Sequence, residues 1–205
     1  MDYSVKYDGQ ATILDWLIES LTPKMIDWFW SNMEKGFLLW HPSQHEPLEW
    51  AKAPEHGNPI GSIHIAPQTW NDGTRQNLYI RFEDLAEVPT WVKEYIEYEH
   101  CVVVAGIGFG EEALRHPEVM GYRIHQWQKT DQGVIGKSVA IGVKKKEDKQ
   151  AGEVWAAHCG EEIGNWENFL SQLYSLYRVV ENTKYNPYAD LSLEGSGETL
   201  RYKCI

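Results

Sequence analysis

Six apolar residues near the C-terminus constrain this chain more than anything else in it. Ile163, Trp166, Leu170, Leu173, Tyr177 and Val180 recur at intervals of 3, 4, 3, 4 and 3. A helix turns once every ~3.6 residues, so this spacing stacks all six on one face. The stripe predicts a helix that starts near Glu153 or Ala156 and ends near Asn182. A long helix with one apolar face has to bury that face against another layer.

Upstream, residues 11–20 (ATILDWLIES) read as a helix. Thr22-Pro23 opens a second helix, with Thr22 as N-cap and Pro23 in the first turn, running through Met25, Trp28 and Phe29 to about Met33, where Gly36 stops it. Residues 37–60 carry Pro42, Pro47, Pro54 and Pro59 and read as irregular. Period-two alternation at 61–66 and 78–82 predicts strands on either side of the Asn71-Asp72-Gly73 turn. Residues 89–98 suit a short helix, 100–107 a strand, and 121–128 with 134–143 a hairpin about Asp131-Gln132-Gly133. Residues 183–205 show no periodicity and read as an irregular tail. The chain shows no internal repeat and no second boundary, so 1–205 reads as a single domain. The order is two helices, five or six strands and one long helix. That order fits an α+β architecture in which an antiparallel sheet wraps around the last helix.

Composition excludes several partners. The formal net charge is −11, and the one basic run, Lys144-Lys145-Lys146, is followed at once by Glu147 and Asp148, as in a solvated turn. A nucleic-acid or membrane-surface binder draws its affinity from a basic patch, so neither partner is expected. No apolar run approaches the ~20 residues of a membrane span. Cys101, Cys159 and Cys204 are odd in number and share no C-x-x-C spacing, which suits a reduced cytoplasm. Ten Trp and eleven Tyr serve either a large aromatic core or a pocket for a flat apolar ligand.

Candidate chemistry concentrates in histidines. His158 and Glu162 are four residues apart, one turn along a helix face that also carries Phe169 and Leu173. Such a pair either ligates a metal ion or forms a His–Glu hydrogen bond near the helix start. Trp40-His41-Pro42-Ser43-Gln44-His45 places two histidines around a proline, where a stiffened loop suits a metal ligand. His64 alternates with Ile63 and Ile65, and His125 with Ile124, so both can face one cavity of a curved sheet. Tyr122 and Tyr79 offer polar tips.

Other chemistries are poorly served. The glycines of CVVVAGIGFGEEALR miss the dinucleotide fingerprint G-x-G-x-x-G, because Glu111 stands where its third glycine belongs. Neither a G-x-S-x-G elbow nor an H-E-x-x-H motif is present.

Four stretches together resemble the diacetylphloroglucinol hydrolase and phloretin hydrolase family: KMIDWFWSNM, FLLWHPSQH, HQWQKTDQGV and HCGEEIGNWENFLSQLY. The W-H-P-x-x-H and H-C-x-E-E elements, in this order, carry most of the likeness. The resemblance implies a helix-grip (Bet v-like) fold and hydrolysis of the carbon–carbon bond between an acyl group and a phenolic ring. It also implies one zinc ion held by two His and two Glu. By motif, His45, His158 and Glu162 become ligands. No glutamate matches the family's strand ligand, and His64 is favoured over Gln68 in that place. Phe37 stands where the family has a Tyr before the W-H-P motif, and His125 where it has a substrate-contacting His.

The expected enzyme is therefore a zinc hydrolase of acyl-phenols. His125, Glu162 and Tyr122 are its candidate catalytic groups, and Phe37, Trp40, His41 and Trp127 its candidate pocket. A polyketide cyclase or decarboxylase on the same scaffold, or a non-catalytic carrier of an apolar ligand, is the alternative. A homodimer is a mild expectation.

Overall fold

The computed structural model describes residues 1–143, 148–178 and 188–203. The Lys144-Lys145-Lys146 run, Val180 and Asn182 lie outside the described residues. Strands β1 (Asp2–Tyr7) and β2 (Ala11–Ile18) form an N-terminal hairpin, followed by helices α1 (Pro23–Ser31) and α2 (Phe37–Trp40). Strands β3 (Glu49–Lys52), β4 (Ile63–Thr69) and β5 (Arg75–Phe82) come next. Helix α3 (Thr90–Lys93), β6 (His100–Phe109), α4 (Glu112–Arg115), β7 (Gly121–Thr130) and β8 (Gly133–Gly142) lead to the long helix α5 (Lys149–Arg178). A short ribbon, β9 (Leu193–Glu194) with β10 (Arg201–Tyr202), closes the described chain.

Eight strands form one antiparallel sheet in the order β1-β2-β8-β7-β6-β5-β4-β3. Its concave side holds α5, with α1 and α2 packed against the same helix. Ile163, Trp166 and Leu170 of the stripe are fully buried, and burial of an aliphatic side chain such as Ile163 or Leu170 stabilises the fold by roughly 1.5–3 kcal/mol. Aromatic rings fill much of the space between the layers. Trp166 stacks on Trp40 at 5.7 Å and meets Phe29 edge-on at 5.5 Å. This is the helix-grip architecture, α+β, as the element order implies.

Three readings need correction. Residues 11–18 are a strand, not a helix. Asp8-Gly9 makes the hairpin turn: Asp8 Oδ1 accepts from the backbone N–H groups of Gln10 and Ala11, both at 2.8 Å, and Gly9 takes a φ of 98°. Strand β2 is buried on both faces and paired on both edges, so its apolar residues follow no period of two and imitate a helix. The helix expected over 89–98 shrinks to Thr90–Lys93. Part of the irregular tail pairs with the sheet instead: Leu193 N–H donates to Glu99 O at 2.7 Å and Cys101 N–H to Leu191 O at 3.3 Å. At α1, Thr22 and Pro23 occupy the expected positions, although the Thr22 side chain makes no capping bond.

One glycine is fixed by close approach. Gly136 of β8 lies opposite Trp16 of β2, and a Cβ there would fall 1.8 Å from the indole ring. Trp16 is itself pinned, donating its indole N–H to Ser138 Oγ at 3.3 Å and standing edge-on to Trp166 at 6.1 Å. Overpacking of this kind costs about 1–3 kcal/mol or more. Gly136→Ala is therefore expected to lower the urea midpoint clearly, and a midpoint equal to wild type would refute the packing argument.

Candidate metal centre and cavity

The 41–45 turn delivers the first candidate ligand. His45 N–H donates to His41 O at 2.9 Å, closing the turn around Pro42. The segment is stitched to β4 by Thr69 N–H to Gln44 O (2.8 Å) and Glu46 N–H to Pro67 O (2.9 Å). The His45 ring lies flat on Phe37, with centroids 3.9 Å apart and planes 3° from parallel. Helix α5 delivers the other two groups. His158 and Glu162 sit one turn apart on its buried face, and all three residues are less than 9% exposed.

The geometry converges on one oxygen. His45 Nε2 and His158 Nε2 each lie 3.2 Å from Glu162 Oε1. The far side of each ring is committed. His45 Nδ1 donates to the Phe37 carbonyl at 2.9 Å, and His158 Nδ1 donates to Gln44 Oε1 at 2.7 Å. The Gln44 amide is oriented in turn by donating its NH2 to Asn71 Oδ1 at 2.9 Å. The Phe37 backbone carbonyl and the Gln44 amide oxygen, so oriented, can only accept, so the hydrogen of each neutral ring is on Nδ1 and Nε2 presents a lone pair. Two lone pairs facing a carboxylate oxygen repel unless a cation lies between them or both rings take a second proton. Burial pushes the Glu162 carboxyl up, but His158 and His45 outweigh it and hold the group below the usual carboxylate range.

This donor set fits a divalent ion. Imidazole and carboxylate ligands about 2.0–2.1 Å from a tetrahedral zinc lie about 3.3 Å from one another. Outer hydrogen bonds to the far ring nitrogens are what metal-bound histidines commonly make.

The centre opens on a cavity of about 590 Å³, within the size range of small-molecule sites. His125 of β7 lines it. Its Nδ1 lies 3.0 Å from Ser138 Oγ. Ser138 Oγ accepts the Trp16 indole N–H, which leaves it one hydrogen and one lone pair to share with its other neighbours, His125 Nδ1 among them. Burial is the main cause that lowers the His125 pKa to about 4, so the ring is neutral at pH 7. His64 of β4 also lines the cavity, and burial above all lowers its pKa to about 3.

The structure thus gathers His45, His158 and Glu162, with Phe37, Trp40, His64 and His125 along the cavity wall. It separates four other groups from their expected roles. His64 falls outside the set of ligand atoms lying within 4.8 Å of one another. Tyr122 is three residues from His125 and so faces the opposite side of β7, where it meets Trp91 at 5.8 Å. Trp127 shares the His125 side but lies beyond the cavity, stacked on His100 at 6.0 Å. His41 lies behind the centre, stacked on His158 at 4.4 Å with its Nε2 3.5 Å from Glu161. Sequence reasoning missed Gln44, whose role depends on Asn71 and on a helix 114 residues away. It also missed Trp30 and Trp155, which line the cavity beside His125.

A second His–carboxylate group, Asp27, His100 and Asp190, lies apart from the cavity. Its core is an ion pair, Asp27 Oδ1 to His100 Nδ1 at 3.0 Å. Burial opposes a charge on His100, yet Asp27 raises its pKa.

No family model matches the chain, and no curated protein matches it. Solved structures do. Protein Ms6760 from Mycobacterium smegmatis superposes with a TM-score of 0.56 at 14% identity, covering 84% of this chain and 98% of that one. An Arthrobacter aurescens protein solved by NMR gives 0.54 at 14%, covering 82% and 91%. Protein NE0264 from Nitrosomonas europaea gives 0.52 at 13%, covering 83% and 99%. At such identities the likeness is one of fold. No helix among the described residues is long and apolar enough to cross a membrane.

Proposed function

We propose that the protein is a metal-dependent enzyme. It holds one divalent ion, zinc first, on His45, His158 and Glu162, and acts on the carbonyl group of a small aromatic or polyketide-like ketone. The observation that carries this reading is the convergence of two imidazole Nε2 atoms on one carboxylate oxygen, with both Nδ1 hydrogens already committed. Three protein ligands beside an open cavity are the arrangement of catalytic rather than structural zinc sites. A non-catalytic carrier has no use for it. Bound there, the ion supplies Lewis acidity toward a carbonyl and lowers the pKa of water.

The chain's own residues supply the rest. His125 is a neutral imidazole, and with its hydrogen on Nε2 it would donate to a ketone oxygen, or to the oxyanion that follows attack on it. Trp30, Phe37 and Trp40 give the ring an apolar wall that excludes water. The motif likeness directs the first choice of reaction to hydrolysis of an acyl–phenol carbon–carbon bond. One observation favours a cyclisation within the second choice. Hydrolysis and decarboxylation both leave a carbon that needs a proton, yet Glu162 is ionised, His125 is neutral, and no tyrosine lines the cavity among the described residues.

The test is to load the protein with zinc and incubate it with acyl-phenols. Zinc-dependent release of a carboxylic acid and the deacylated phenol supports hydrolysis. Zinc uptake with a cyclised or decarboxylated product from polyketide-like ketones supports the second reaction. Ketone binding with no zinc uptake and no product overturns the enzyme reading in favour of a carrier.

A further inference from the structure

His64 is 4% exposed, lines the cavity, and has no hydrogen-bond partner for its Nδ1. The indole N–H groups of Trp30, Trp40 and Trp166 are also unpartnered, but these rings pack edge-to-face, and an indole N–H can rest on a neighbouring ring face. A neutral imidazole is different. It carries a lone pair as well as a hydrogen, and no ring face satisfies a lone pair. The neighbours of His64 are the rings of Trp50 at 5.8 Å, Phe82 at 5.7 Å and Phe37 at 6.5 Å. Such surroundings suit a hydrogen on the enclosed Nδ1 and repel a lone pair there. The lone pair is then on Nε2, the nitrogen left for the cavity side. Buried polar atoms in folded proteins nearly always find a partner, and a lone pair that faces a ligand cavity is placed to find it in the ligand.

We propose that His64 accepts a hydrogen bond from a hydroxyl group on the ligand, so that the cavity selects phenols and enols over rings that lack an O–H donor. This rests on the reading above that the ligand is an oxygenated aromatic ketone. It gives His64 a place against the ligand instead of the fourth metal position that the sequence suggests.

The experiment compares two probes of similar size, 2,4-dihydroxyacetophenone and 2,4-difluoroacetophenone. Binding is followed by tryptophan fluorescence in zinc-free and zinc-loaded protein. Wild type is expected to favour the dihydroxy probe by about tenfold, the size of one good hydrogen bond. His64→Phe is expected to bring the two within about twofold, and His64→Gln, whose amide oxygen can accept, to recover part of the preference. A thermal midpoint close to wild type identifies a folded variant. An unchanged ratio in His64→Phe, or no preference in wild type, overturns the proposal. So does loss of zinc from the variant, which would make His64 a ligand of the metal. A wild-type chain that takes up no zinc defeats the enzyme reading instead, while the probe ratio in the zinc-free arm still decides the role of His64.

Discussion

Replacing His158 with alanine is expected to reduce zinc content, measured by elemental analysis, from about one ion per chain to near none. It removes one of three ligands and leaves two donors that no longer enclose an ion. A graded companion comes from Gln44→Leu, which leaves every ligand in place. Gln44 Oε1 receives the His158 Nδ1 hydrogen at 2.7 Å and so determines which ring nitrogen faces Glu162. Losing such an outer partner typically costs about 10- to 100-fold in metal affinity. A competition titration with a zinc indicator separates the two variants, with Gln44→Leu weakened and His158→Ala abolished. Equal zinc affinity in wild type and His158→Ala would place any bound ion elsewhere. No uptake by wild type would mean that the His–Glu–His contact is closed by protons alone.

The His158–Glu162 pair on α5 was legible because helix geometry converts a spacing of four directly into one face, and the stripe from Ile163 onward identified the helix. The 41–45 segment was legible for a different reason: two histidines flank a proline that stiffens the loop carrying them. The outer wall of the site was not. Tyr122 and His125 lie on one strand and differ only in parity, so assigning both to the cavity contradicted the period of two that places side chains on alternate faces. Trp127 has the correct parity but lies too far along β7, a distance that depends on where the cavity ends. Gln44 could not be found locally, since its partners Asn71 and His158 are brought to it by a loop and a distant helix. The N-terminal hairpin was misread even though its Asp8-Gly9 turn is among the strongest hairpin signals. A strand buried on both faces loses the alternation that distinguishes it from a helix.

Acid is expected to destabilise the zinc-free protein well above the pH at which exposed carboxylates protonate, because two histidines are buried in neutral form. The folded pKa values are about 3 for His64 and about 4 for His125, against 6.5 for the unfolded residue, and burial is the leading cause in both. Below pH 6.5 the unfolded chain takes up protons at these positions while the folded chain does not. Stability is therefore full above about pH 6.5 and is lost as pH falls toward 4 and then 3. Each histidine contributes a slope of up to about 1.4 kcal/mol per pH unit in that window, and a total of a few kcal/mol. Glu162, held below its usual range, adds a loss of the same sign at lower pH. The His100 pKa is raised instead, so its contribution is present below the unfolded value and fades as pH climbs through the folded one, which opposes part of the loss. Against a typical domain stability of about 5–15 kcal/mol, the net effect is large. Urea midpoints should fall steeply between pH 6.5 and 4.5, and His125→Leu should flatten that profile by up to one proton's slope whatever it does to stability at pH 7.5. A midpoint that holds steady over this range would show that water or structural relaxation reaches both rings, and would remove the basis for treating His125 as a neutral donor to the ligand.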